Sequence, residues 1–357
     1  MDRRRFFGAL GAALALPRDV ALGAAPRSSL WLAYTSFAVR LRYGRDTKGT
    51  TPPFGPEALA EMCRRVGSTG AQLDFGQLQA GSDAIDRAAA AYRDRQLGLE
   101  VSMPSRALES PEAYAEAVAI ARALGARCAR VALLSGRRYE TFETAAAWQG
   151  FASRWREMLL RMRPEFERHR FHVGIENHKD WLAPELVSLL RAIDSPYVGA
   201  CVDFGNNLAL LEDPDDTIAQ LAPFAVTTHV KDMAVRVTRE GFELSEVPLG
   251  QGLLPLARYV GMIGKARPDA RFCLEMMTRD PLVVPFRTDR YWAPFEAASR
   301  APARLRAFED RVLARATRDL PRVTGLAPER QLALEVDNVA ACVAHARDVL
   351  HLEAPDA

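Results

Sequence analysis

A closed (β/α)8 barrel is the α/β fold that this 357-residue sequence predicts, and three observations predict it. Eight short apolar runs read as buried strands. Segments with apolar residues at three- and four-residue spacing alternate with them, and strands that alternate with helices form a parallel sheet. The eight units together span about 250 residues, the usual size of a closed barrel. An open doubly wound sheet would alternate in the same way, but no GxGxxG follows the first run.

The runs are Leu30–Thr35, Gly70–Phe75, Leu97–Ser102, Cys128–Leu134, Phe171–Glu176, Tyr197–Asp203, Phe224–His229 and Arg271–Glu275. Each is short and continuously apolar rather than alternating, as expected of strands covered on both faces. Helices are predicted at Pro56–Val66, Pro111–Leu124, Pro184–Ile193 and Leu253–Ile263, several opening on proline or acidic residues and closing near glycine. After the eighth run the pattern breaks between Thr278 and Pro328, and a final amphipathic helix covers Glu329–Leu350. The break reads as an insertion in the eighth βα loop, rich in proline and aromatics at its start and helical over Ala301–Leu320. That position suits either a lid over a barrel mouth or a cap on the outer ring. The barrel with its insertion (278–328) thus occupies residues 28–350.

Residues 1–25 read as an address. The arginines at 3–5 precede an eleven-residue apolar run, Phe6–Leu16, and then small residues at 23–25. The run is short of the roughly 20 residues that span a bilayer, so no permanent membrane anchor is expected. Adjacent arginines before Phe6 and Phe7 resemble a twin-arginine export signal, which implies transient engagement of the export machinery, a periplasmic location, and folding with any metal before export. The chain carries a formal charge of +2, and Arg3, Arg4, Arg5 and Arg18 against Asp2 and Asp19 account for all of it. The remainder is neutral and has no basic field for a phosphate backbone, which argues against nucleic acid as a partner. Five cysteines without CxxC spacing point to buried thiols rather than a zinc knuckle or a disulfide set.

Four consecutive strand ends carry metal-ligand side chains: Glu176 in GIENH, Asp203 in CVDFGN, His229 in THVKD and Glu275 in CLEMM. Buried strands carry few charges, so chance is a poor explanation for all four. Three carboxylates and one imidazole suit Mn²⁺, Mg²⁺, Co²⁺ or Fe²⁺, with Zn²⁺ also compatible. Without a cation the carboxylates would repel and raise one another's pKa. Beside a polarised carbonyl, Glu176 and Glu275 could take and return a carbon-bound proton.

The order Glu176, Asp203, His229, Glu275, together with ENH, HVKD and PLGQG (Pro248–Gly252), resembles the xylose isomerase-like barrel superfamily, its sugar isomerase and epimerase branch above all. The resemblance implies one divalent metal on these four residues and proton transfer by Glu176 and Glu275 through an enediolate. The sequence departs from that branch at Asn206, where histidine is frequent; asparagine can bond a hydroxyl but cannot titrate. His178, Lys179, Lys231 and Asp232 flank the ligands as candidate hydroxyl or phosphate contacts, and Arg279 and Trp292 of the insertion as candidates to close over a sugar ring. A trinuclear nuclease site of the same superfamily is excluded because no histidine precedes His169. Three functions follow for a small sugar or polyol partner. They are isomerisation or epimerisation first, a lyase or dehydratase acting on a keto-sugar, 3-keto-glycoside or cyclitol second, and a non-catalytic sugar-binding barrel third.

Overall fold

The computed structural model describes residues 28–46, 54–78 and 82–353; residues 1–25, read from the sequence as an export signal, lie outside them. Eleven strands occur in this part of the chain: β1 (Trp31–Ala33), β2 (Gly70–Asp74), β3 (Gly98–Ser102), β4 (Cys128–Val131), β5 (His172–Glu176), β6 (Val198–Asp203), β7 (Ala225–Val230), β8 (Asp232–Val237), β9 (Phe242–Val247), β10 (Arg271–Leu274) and β11 (Leu282–Val284). Eight of them, β1 to β7 and β10, form the closed barrel in chain order, sealed where Trp31 lies opposite Cys273 and Leu32 opposite Leu274. Every neighbouring pair is parallel. These are the eight strands expected from the apolar runs.

The crossover helices are delimited by local chemistry. Pro56–Val66 starts on a proline, whose missing N–H would have no partner there, and stops at Gly67, where φ of 78° favours glycine. Ser110 and Thr144 cap Pro111–Ala123 and Ala145–His169 by accepting the N–H of Ala113 and Ala147. Their apolar faces pack on the barrel with Leu59, Tyr114, Val118, Leu159 and Phe166 buried. The helix expected from Leu253 begins at Leu256, after Pro255, whose ring disfavours a helical conformation at the residue before it. All five cysteines are buried free thiols. No helix among the described residues is long and apolar enough to cross a membrane.

Register places the strand ends. Between β6 and β7 the pairing slips by one residue, from Ala200 opposite Ala225 to Cys201 opposite Thr227, so that Asp203 ends level with His229 rather than Thr228. On the other side Cys273 lies opposite His229, and the N–H of Glu275 bonds the carbonyl of Val230.

Two departures from the expected pattern lie beside the site. After β7 the chain leaves the barrel as a hairpin, β8 antiparallel to β9, and β11 of the insertion adds to β9 with Leu282 opposite Leu244. The insertion is therefore not a self-contained loop. It shares a three-stranded sheet with the preceding excursion. Its predicted helix over Ala301–Leu320 is also too long: the α-helix is Pro302–Arg311, and Thr317 instead donates its N–H to Val235 of β8.

The insertion is pinned over loops at the C-terminal end of the barrel. Tyr291 bonds the carbonyl of Ala209 at 2.8 Å, beyond β6. Beyond β4, Arg290 bonds the carbonyls of Phe142 and Glu140, and buried Arg138 bonds that of Pro294. Arg138 also pairs with Glu185 at 2.8 Å and lies 4.0 Å from the Trp148 ring and 4.4 Å from the Phe295 ring.

Candidate metal centre

Each of the four candidate ligands sits at or just past the C-terminal end of a barrel strand, the end where barrel sites form. Glu176, Asp203 and His229 are at most 1% exposed and Glu275 is 6% exposed. One donor atom from each lies within 4.8 Å of all the others. His229 Nδ1 is 3.1 Å from Glu176 Oε1, 3.6 Å from Glu275 Oε2 and 3.7 Å from Asp203 Oδ2.

The protein balances this charge with its own cations. The Arg130 guanidinium binds Glu176 Oε2, with its Nε at 2.5 Å. Lys231 Nζ is 2.5 Å from Glu275 Oε2 and 2.7 Å from Asp203 Oδ2. Burial alone would raise Glu176, yet Arg130 and His229 outweigh it and hold the carboxyl well below the usual range. Burial likewise works against Glu275, and Lys231 with His229 brings it down. Burial also opposes the charge on His229, but Glu275 and Glu176 raise it to about 10. The mutual raising of carboxylate pKa values expected from the sequence is thus overturned at both glutamates by Arg130, Lys231 and the imidazolium.

The donor set fits a divalent cation. It contains three carboxylates and one imidazole whose donor atoms converge within 4.8 Å of one another, the oxygen-rich set that suits such an ion. Asp203 Oδ1 is committed to the N–H groups of Gly205 and Asn206. The imidazole is oriented from behind. Gln72 donates through Nε2 to Glu100 at 2.6 Å, so its carbonyl oxygen faces His229 Nε2 at 2.9 Å. Nε2 therefore carries a hydrogen, and Nδ1, which faces the carboxylates, is the ring nitrogen that would ligate a cation once its own proton is displaced.

A model of the xylose isomerase-like TIM barrel family matches residues 98–307. The chain belongs to this family. It is 27% identical over 266 residues to the 3-oxo-isoapionate decarboxylase of Pectobacterium atrosepticum, covering 74% of this chain and 87% of that one. Among solved structures it resembles a family protein from Mycobacterium smegmatis in complex with magnesium, with TM-score 0.55, 15% identity and coverage of 77% and 98%. It also resembles a D-psicose 3-epimerase in the presence of D-fructose, with TM-score 0.53, 16% identity and coverage of 90% and 99%. At such identities the structural likenesses speak for the fold.

The remaining sequence candidates separate into those that meet the cluster and those committed elsewhere. Asn206 meets it, with Nδ2 3.2 Å from Glu176 Oε1 and Oδ1 accepting from Lys179. His178, partly buried, has an Nδ1 without a hydrogen-bond partner, and burial lowers its pKa to about 4. Lys231 is buried between two candidate ligands as their counter-ion, not as a free substrate contact. Arg279 is engaged by Glu246 through two donors, and Trp292 bonds the carbonyl of Phe286 and packs on Tyr291 and Phe295. Both are thus held by partners of their own, Arg279 with its Nη1 uncommitted to Glu246.

Asp232 is structural as well. Its carboxylate accepts the N–H groups of Met233, Gly250, Gly252 and Leu254, which ties the PLGQG loop to the start of β8. A Cβ on Gly252 would lie 2.1 Å from Asp232 Oδ1, and Gly250 has φ of 83° with His345 packed on it. Asn177 of ENH straps β5 to β6 by bonding both the N–H and the carbonyl of Asp203.

Sequence reasoning missed Arg130, Gln72, Glu100 and Thr35, the last bonding Glu275 Oε1 at 2.9 Å. The signal was present in three of them: each is a polar residue within an otherwise apolar buried run.

Proposed function

We propose that the protein is a divalent-metal-dependent lyase that cleaves the bond between the carboxylate and the α-carbon of a 3-oxo sugar acid. The carrying observation is the buried donor set of Glu176, Asp203, His229 and Glu275 with its glutamates already paired to cations. A cation held there would supply Lewis-acid polarisation of a carbonyl oxygen. The chain's own residues do the rest. Arg130 and Lys231 keep Glu176 and Glu275 ionised but make them weak bases, poorly matched to removing a carbon-bound proton. Loss of carbon dioxide from a 3-oxo acid needs no such base. The bond between the carboxylate and the α-carbon breaks, carbon dioxide leaves, the electron pair passes through the α-carbon to the carbonyl oxygen as an enolate, and the α-carbon then takes a proton from water. Asn206, which cannot titrate, serves this reaction by holding Glu176 and Lys179 in place. The decarboxylase relative supports the same class of reaction.

Isomerisation or epimerisation is the second reading, favoured by the meeting of two carboxylates, Glu176 and Glu275, at one centre. Product analysis of the Mn²⁺-loaded protein separates the two across a panel of 3-oxo sugar acids and ketoses. Release of carbon dioxide supports the lyase; conserved mass with deuterium uptake from heavy water would replace it by the epimerase. The leader supports a periplasmic setting for either reaction.

A further inference from the structure

Four cationic side chains surround the candidate centre, and three of them are neutralised. Arg130 pairs with Glu176, Lys231 with Asp203 and Glu275, and Arg279 with Glu246. Lys179 has no such partner. Among the described residues no carboxylate lies within ion-pair distance of its Nζ, whose hydrogen bond goes to the neutral Oδ1 of Asn206, and the side chain is 6% exposed. A buried ammonium without a counter-ion is costly, and proteins keep such groups paired unless something else completes them. Burial, with Lys231 and Arg279 nearby, outweighs the more distant Glu246 and Asp203 and lowers its pKa to about 8, so it is still charged near neutrality.

Its placement links it to the centre. Lys179 follows Glu176 by three residues on the loop after β5, and that loop is fixed where the Lys179 carbonyl accepts the N–H of Arg138. Asn206 bridges the two, with Oδ1 on Lys179 and Nδ2 on Glu176. An anion seated on Lys179 would therefore bring its attached carbon chain to the four donors.

We propose that Lys179 is the anion-binding residue of this site and selects substrates that carry a carboxylate. The inference rests on the reading of the centre as an oxo-sugar-acid site and adds the residue that recognises the acid. A carboxylate fits better than a phosphate. One cation matches a single negative charge, whereas phosphate sites gather several backbone N–H groups. The nearby N–H groups of His178 and Trp181 are already taken by Asp180 Oδ1.

The test is calorimetric titration of the Mn²⁺-loaded protein with D-gluconate, with D-glucitol, which carries a hydroxymethyl group in place of the carboxylate, and with D-glucitol 6-phosphate. The parent should bind gluconate about tenfold more tightly than glucitol, the worth of one charge-assisted hydrogen bond. In Lys179→Gln that preference should shrink to about twofold with Mn²⁺ affinity unchanged, and Lys179→Arg should restore part of it. Melting of the metal-free Lys179→Gln protein reports on the alternative of a merely structural lysine. It should melt at or above the parent, because an uncompensated charge has been removed for function rather than stability. A gluconate preference that survives in Lys179→Gln, no preference in the parent, or tighter binding of the phosphate would overturn the proposal. Gluconate selection without carbon dioxide release from any oxo acid would leave it standing and remove the lyase reading instead.

Discussion

Replacing Gln72 by leucine tests how the candidate metal-binding imidazole is held. Gln72 Oε1 accepts from His229 Nε2 at 2.9 Å, and Gln72 Nε2 donates to Glu100 at 2.6 Å. Leucine of similar size removes both bonds and leaves a buried imidazole N–H facing hydrocarbon. Glu100 keeps Thr227 at 2.8 Å on its other oxygen. Loss of such an outer partner typically lowers metal affinity about 10- to 100-fold, or about 1.4 to 2.7 kcal/mol. The unsatisfied N–H should also cost the metal-free protein about 1 to 3 kcal/mol. Mn²⁺ titration and urea unfolding read the two effects separately. Glu100→Gln is the companion variant: burial pushes Glu100 toward its neutral form, so the amide should retain the relay and most of the affinity. An unchanged Mn²⁺ affinity in Gln72→Leu would refute the claim that Gln72 fixes the His229 tautomer.

Other outcomes follow from the packing around the site. Glu335, fully buried on the helix Pro328–Asp348, accepts the N–H of Val39 at 2.6 Å, while its other oxygen has no hydrogen-bond donor and lies 3.6 Å from Arg40. Burial raises it from 4.5 to about 7, so its contribution to stability is complete below pH 4.5 and is lost as pH rises through 7. The loss is about 3 kcal/mol, and Glu335→Gln should flatten the unfolding free energy over that window; an identical pH profile would contradict it. Arg138→Met leaves Glu185 and the Pro294 carbonyl without their cation and should destabilise the protein by about 3 kcal/mol, exposing residues 278–328 to proteolysis. Mn²⁺ affinity should be unchanged in that variant, and its collapse would show that the insertion shapes the centre itself.

The barrel strands were legible because a parallel strand covered on both faces leaves an unbroken apolar run, and the ligands because they interrupt consecutive runs at one end. Asp203 and His229 could be paired on paper only approximately, since the one-residue slip after Ala200 comes from backbone packing. The hairpin β8–β9 was overlooked although MAVRVTREGFELSEV alternates around Glu240 and Gly241, because its strands are read against one another rather than against the barrel. Lys231, Arg279 and Trp292 show a different limit. Composition places a cation or an aromatic near a site, but only packing reveals that Asp203, Glu246 or Phe286 has already claimed it. Conversely, Arg130 and Glu100 stand out as polar residues in apolar runs, but their role depends on which neighbours point into the barrel beside them.

Glu176, Asp203, His229 and Glu275 are proposed to hold one divalent cation together. The most direct measurement is calorimetric titration of Mn²⁺ into the metal-stripped protein and into Asp203→Asn, which retains the side-chain shape and the oxygen that accepts Gly205 and Asn206 while removing the negative charge. One Mn²⁺ per chain in the parent and binding weakened by more than about tenfold in the variant is the predicted result. No saturable binding in the parent, or equal binding in both, would contradict it.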